Sequence, residues 1–376
     1  MTNARELSRR RVLKTGALAV AAGWFVPPGR ATGQAVAPAE MGANAAAVEE
    51  LALVARPTRL FKVRDRSHEN TESWIVSLVA ESRIQAHLVP ASMTVELLRG
   101  GAVLRTSSHT ATGFAPLTYE TKLPPRTADG GVPDPPVYWP FVVRLRHTEP
   151  VALGVDAMRI AVEAGDELNR RWRGAVQLPV ETYTQKTALR FPFRGKGIVL
   201  QAGTANGGHR NRSGQFAIDA CGLDDAWSIV APGPGKRNAD YRGWGRPVLA
   251  PADGVVVRLR HDRPDQPVAD TSDPKYYAPE YPQGGDPGNH VVIDHGNGEF
   301  SMLAHFQAGS LRVRLGERVR EGQPLGALGH SGDTDGPHVH FQLQTGPDWE
   351  NADALPCRFT NVDQQVLDRG TYFEAK

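Results

Sequence analysis

The sequence is poor in cysteine: Cys221 and Cys357 are the only two among 376 residues. At most one disulfide can form. Whether these residues, 136 positions apart, are bridged stays open at this level, a free thiol on the Asp219 face of a strand being the alternative. Long helical patterns are also scarce, whereas 39 glycines and 29 prolines are present. That balance predicts an all-β chain rich in turns. No stretch is apolar enough to span a bilayer, which takes about 20 residues. Excess basic charge is missing too. The formal charge is +2, and residues 1–35 carry Arg5, Arg9, Arg10, Arg11, Lys14 and Arg30 against Glu6, so they are +5 and the rest is −3. A mildly acidic remainder argues against a nucleic-acid partner. A phosphate loop is absent as well: Gly233-Pro234-Gly235-Lys236 lacks both the spaced first glycine and the hydroxyl residue after the lysine.

The basic N-terminus has an order of its own. Ser8-Arg9-Arg10-Arg11-Val12-Leu13-Lys14 is similar to a twin-arginine export motif, with Val12 where Phe is commoner. An apolar stretch follows over residues 15–26, interrupted by Gly16 and Gly23. Charge, apolar run and small residues in that order predict a signal peptide over residues 1–35. Cleavage after Ala35 avoids placing Pro38 beside the cut, as a site after Ala37 would. The expected destination is the periplasm, cell wall or extracellular space, reached by the twin-arginine route. Residues 36–47 are Ala-rich and read as a linker.

Residues 48–185 show short β-type runs at intervals, around 74–80, 93–98, 102–105, 138–146, 158–164 and 175–182. Gly100-Gly101 between two of them is a hairpin signal. Long Pro/Gly loops such as 124–136 separate others. The expectation is an antiparallel β-sandwich of immunoglobulin-like kind. Its histidines, His68, His87, His109 and His147, have no partners at ligand spacing, and no ligand can be named for it.

Residues 186–376 differ in kind. Gly336-Pro337-His338-Val339-His340-Phe341-Gln342 reads as a strand with alternating faces. Histidines at i and i+2 share a face about 7 Å apart. One imidazole can then hold a metal while the other reaches a water beside it. A bare pair of this kind is commonly a solvated strand face, so the context decides. Upstream lie Gly207-Gly208-His209 and Gln215-Phe216-Ala217-Ile218-Asp219, the second reading as the start of a strand. Residues 245–256, 288–296, 301–306 and 313–332 follow, the last leading into the His338 strand.

In this order the segments over roughly residues 200–345 resemble the lysostaphin/LytM-type zinc endopeptidases that cut peptidoglycan peptides. The resemblance implies a compact antiparallel β-sheet core with a groove across it. Carried over position by position, it makes His209, Asp219 and His340 the zinc ligands and His338 the general base. It places His305 as an additional active-site histidine that orients the water or stabilises the oxyanion. The residues alone do not say which of His338 and His340 binds the metal. Two imidazoles and a carboxylate leave one tetrahedral position open, and a zinc ion there lowers the pKa of water to about 7. In the family's best-known members the first histidine and the aspartate lie closer together than the ten positions between His209 and Asp219. Residues 210–214 are therefore expected to loop out between two ligands. Asp224 and Asp225 are alternatives to Asp219, in a turn-like stretch.

The remaining histidines read as structural: His290 and His295 flank a strand, His261 opens an irregular segment, and His330 lies in a turn. Two long segments, 222–245 with Trp227, Tyr241 and Trp244, and 260–287 with Tyr276, Tyr277 and Tyr281, are expected to line a groove. The functional expectation is an exported zinc endopeptidase whose partner is the peptide part of peptidoglycan. The rival is a non-catalytic LytM-like regulator that binds and activates a wall hydrolase. Such regulators lose metal ligands, and here each position is filled. A hydrolase of another polymer is a third reading, separable only by substrate.

Overall fold

The structure is a computed structural model that describes residues 48–65, 68–81, 88–110, 118–119, 141–202, 209, 213–233, 237–267, 269, 285–364 and 366–376. The export signal and linker read above, the 124–136 loop, His87, Gly207-Gly208, and the tyrosines at 276, 277 and 281 lie outside the described residues. Among the described residues the chain is all-β. Its only helical pieces there are two 3-10 turns, Val151–Leu153 and Asn238–Asp240.

In the first half, strands Val89–Arg99, Ala102–Thr110, Ala157–Gly165 and Arg171–Glu181 belong to one sheet, and Ala52–Arg56, His68–Glu81 and Val142–Pro150 to another. Alternate residues of both sheets share a core. Trp74, Val76 and Leu78 come from one, and Met93, Val95, Met158, Ile160 and Trp172 from the other. Gly100 and Gly101 make the expected two-residue turn with φ of 57° and 82°. Positive φ at both positions gives a primed turn, whose twist matches the right-handed twist of the flanking strands.

The expected wholly antiparallel pattern needs correction. Val48–Glu50 and Leu60–Phe61 both pair in parallel with Arg171–Glu181. Between them the chain crosses over, and Ala52–Arg56 pairs antiparallel with His68–Glu81 in the other sheet. At the crossing, Leu51 donates to the Arg173 carbonyl at 2.8 Å. A Cβ on Gly174 would stand 2.2 Å from the Leu51 oxygen, so the crossing requires a glycine there.

The second half is built on a nine-stranded sheet, antiparallel throughout. Its order runs Arg318–Val319, Gly254–Arg260, His290–Asp294, Phe300–Ala304, Val339–Gln344, Ile218–Gly222, Gly195–Ala202, Tyr372–Ala375, with Ala354–Leu355 added on Val339–Gln344. Strand alternation divides the side chains between two faces. Ile218, Ala220, Leu303, Val339, Phe341 and Leu343 enter the main core with Phe191, Phe193 and Phe306. Asp219, His340, Gln342 and Gln344 fall on the opposite face.

The halves are tied together by buried polar contacts. Glu299, 0% exposed, accepts from the Tyr183 hydroxyl and from the Lys186 and Thr187 amides, the last two at 2.7 Å. These contacts hold its carboxyl below the ordinary range, although burial pushes the other way. Gln215 Nε2 donates to the Ile75 carbonyl at 3.2 Å, which joins a turn of the second half to a strand of the first.

Candidate metal centre

Three side chains converge on the polar face of the sheet. Asp219 and His340 are direct cross-strand partners, and His340 Nδ1 lies 2.9 Å from Asp219 Oδ1. His209 Nε2 lies 3.1 Å from Asp219 Oδ2. One nitrogen or oxygen of each of the three lies within 4.8 Å of the others. Tetrahedral ligands at about 2.0 Å from a zinc ion stand about 3.3 Å apart. The separations of the two imidazoles from Asp219 are close to that, and the donor set of two imidazoles and one carboxylate suits the ion.

Two further histidines border this cluster. The ring centroids of His305 and His338 are 4.7 Å apart, and those of His305 and His340 5.9 Å. His338 Nδ1 is 2.9 Å from the Gly336 carbonyl and 3.0 Å from the Thr334 hydroxyl, whose own hydrogen goes to that carbonyl. A carbonyl only accepts, so Nδ1 holds a proton. His338 Nε2 is buried, makes no hydrogen bond, and sits 3.5 Å from Asp219 Oδ1. A buried nitrogen aimed at the ligand cluster without a partner is what a missing water or ion would satisfy. His305 Nδ1 is 2.8 Å from the Ser331 carbonyl, so it too carries the proton. The backbone of His305 is left-handed, with φ of 63°, a strained conformation for a side chain of this size.

The electrostatics follow from burial and proximity. Burial would raise the Asp219 carboxyl, but His209 and His338 beside it hold it well below the usual range. Burial lowers His209 against the pull of Asp219. Burial, reinforced by His338 and His340, pushes His305 well below its ordinary value. His338 is also desolvated, yet the Asp219 charge wins and raises it.

Other positions singled out in the sequence lie outside this cluster. Of the stretch expected to loop out between His209 and Asp219, residues 210–212 lie outside the described residues; beyond them Ser213 and Gln215 are 0% and 4% exposed, and Gln215 is anchored on Ile75. The strand itself begins at Ile218. Asp224 is bound to the Ser228 amide and Arg242, away from the cluster. Neither cysteine is in a disulfide. The Cys221 thiol donates to the Pro337 carbonyl at 3.0 Å. Tyr241 lies against Gly336, where an added Cβ would meet its ring at 3.7 Å, whereas Trp227 packs on Tyr372 and Lys196.

Some partners escaped the sequence reading. His330 is fully buried, with ring nitrogens 2.8 Å from Asn238 Oδ1 and 3.1 Å from the Thr334 carbonyl. Gln266 Nε2 binds the Gly332 and Thr334 carbonyls. Together they shape the turn that orients His305 and His338. Gln342, 2.8 Å from His340 Nε2, was signalled by the polar alternation that continues after the two histidines.

Residues 239–353 match peptidase family M23. The chain carries an M23 peptidase domain. His305, His338 and His340 lie inside the matched residues, and His209 and Asp219 precede them. Peptidoglycan DD-endopeptidase ShyA of Vibrio cholerae serotype O1 is 33% identical over 114 residues, 29% of this chain and 21% of its own length. Murein hydrolase activator EnvC of Escherichia coli is 37% identical over 54 residues, 14% of this chain and 12% of its own length. This chain thus spans about a fifth or less of those relatives. Among solved structures, the catalytic domain of the prophage-encoded M23 protein EnpA from Enterococcus faecalis aligns with a TM-score of 0.27 and 20% identity, covering 43% of this chain and 88% of that one. Among the described residues no helix is long and apolar enough to cross a membrane.

Proposed function

We propose that this chain is a zinc-dependent endopeptidase that hydrolyses peptide bonds in the stem or cross-bridge peptides of peptidoglycan. The observation that carries the reading is the convergence of His209, Asp219 and His340 within ligand reach, with the bare Nε2 of His338 directed at them. Zinc in that position would polarise a scissile carbonyl, lower the pKa of water to about 7 and offset the pull of Asp219 on His338. His338 Nε2 then takes the proton of the attacking water, since its Nδ1 proton is committed to Gly336, and returns it to the leaving amine. Neutral His305, with its proton on Nδ1, offers only an acceptor at Nε2. It is therefore suited to orient the water rather than to donate to an oxyanion.

The M23 match and the ShyA similarity support the substrate class, and the similarity to EnvC keeps the activator as the competing reading. Five filled positions favour the enzyme, because an activator needs neither a base nor ligands. In this reading residues 1–35 direct export and 36–47 form a linker. Residues 48–185 are a non-catalytic β-sandwich of immunoglobulin-like kind, and residues 186–376 carry the chemistry. The purified protein, loaded with zinc, is expected to release new amino termini from isolated peptidoglycan, and a chelator to stop it. Absence of any released fragment from several wall chemotypes would overturn the reading.

A further inference from the structure

Beyond His340 the strand Val339–Gln344 continues one face with two more polar side chains. Val339, Phe341 and Leu343 enter the core; His340, Gln342 and Gln344 alternate with them. All three are buried, at 7%, 2% and 0% exposure. They form a ladder. His340 Nε2 is 2.8 Å from Gln342 Oε1, Gln342 Nε2 donates to Gln344 Oε1, and Gln344 Nε2 donates to the Gly346 carbonyl at 2.6 Å.

The direction of this ladder is dictated by its far end. An amide side chain has one donating and one accepting end, and the network decides which way it points. The Gly346 carbonyl can only accept. Gln344 must therefore turn its NH2 group to Gly346, which leaves its oxygen for Gln342. Gln342 must then give its NH2 group to that oxygen, which leaves its own oxygen for His340. An oxygen acceptor at this point requires the proton of His340 to sit on Nε2. Cross-strand neighbours supply the glutamines no alternative partner, since Met302 faces Gln342, and Phe300 and Ala354 face Gln344; His340 stands between Ala304 and Asp219, and Asp219 meets it at Nδ1, not at Nε2. With the proton on Nε2, Nδ1 is the nitrogen left to coordinate, and Nδ1 is the atom 2.9 Å from Asp219.

We propose that Gln342 and Gln344, oriented from the Gly346 carbonyl, are positioning residues that fix His340 for metal binding through Nδ1. The proposal rests on the metal-centre reading above, but not on the identity of the substrate or of the base. Gln342 would act as the outer partner that aims the imidazole and raises its basicity. Gln344 would act one step further out, without touching His340.

The test uses the full chain loaded with zinc, histidine labelled with 15N, and zinc affinity measured by competition with a chromophoric chelator. The wild type is expected to show His340 bound through Nδ1, with a slowly exchanging Nε2–H. Gln342→Leu is expected to weaken zinc binding ~10–100-fold and to expose Nε2–H to exchange. Gln344→Leu, remote from the imidazole, is expected to show the same change in exchange with a smaller loss of affinity. Gln344→Glu, which can only accept from Gln342, is expected to keep the Nε2–H signal, whereas a purely packing role would make it the more harmful change. Thermal unfolding confirms that each variant is folded. Coordination through Nε2, or folded leucine variants with unchanged zinc affinity and unchanged Nε2–H exchange, would overturn the proposal. Failure to cleave peptidoglycan while the ladder effects hold would remove the peptidase reading and leave this one standing.

Discussion

Asp219 and His340 occupy one rung of the antiparallel sheet, and the carboxylate is 2.9 Å from His340 Nδ1. The relationship is set by register: a slip of one residue would turn either side chain into the hydrophobic core. Ile218, Ala220, Val339 and Phe341, all core residues, therefore aim the candidate ligands as firmly as any polar contact does.

Removing a ligand is expected to empty the centre. Metal analysis of the purified protein should give close to one zinc per chain. Asp219→Ala and His340→Ala should lose affinity beyond the ~10–100-fold that is lost when a hydrogen-bond partner of a ligand is removed. Unchanged zinc content in either variant would refute the ligand assignment.

His338→Ala should behave differently. Zinc should stay, because His338 contributes a nearby acceptor and not a ligand, while turnover falls ~10²–10⁴-fold as for a lost general base. Loss of metal from this variant would show that the two histidines of the strand have exchanged roles.

Acid should destabilise the fold through His290. Burial, outweighing the bond to the Gly288 carbonyl, lowers this imidazole from 6.5 to about 4, and its buried Nε2 has no hydrogen-bond partner. The unfolded chain therefore binds a proton that the folded chain resists. Stability is full above pH 6.5 and declines as pH falls from there to about 4. At about 1.4 kcal/mol per pKa unit the loss approaches about 3 kcal/mol. Denaturant titrations at pH 7 and 4.5 should show a smaller difference in His290→Gln than in the wild type.

The two cysteines should both titrate as thiols under denaturing conditions without reductant, since neither is disulfide-bonded. Cys357 should resist alkylation while the protein is folded. Part of the residue reaches the surface, but its thiol is enclosed, and burial together with the Glu299 charge pushes it up to about 12. One disulfide per chain, or rapid labelling of native Cys357, would contradict the arrangement.

The candidate site was legible in the sequence where its signal was local. Strand alternation places His338 and His340 in one frame, and the resemblance supplies His209, Asp219 and His305 by order along the chain. What stayed hidden depends on contacts between distant segments. Asn238 and His330, 92 positions apart, meet only once the sheet is formed, so His330 looked like an ordinary turn residue. Gln342 and Gln344 continue a visible alternation, but their direction is fixed by a backbone carbonyl, which composition does not reveal. The parallel pairings of Val48–Glu50 and Leu60–Phe61 were equally invisible, because alternation is the same whichever way a strand runs.

Gln215 and Ile75 are 140 positions apart, and this single bond limits how the chain can be rearranged. A fragment starting near residue 186 would retain every proposed ligand and still lose the wall on which the turn before Asp219 rests. Exchanging either half for that of a relative would replace only one side of this contact.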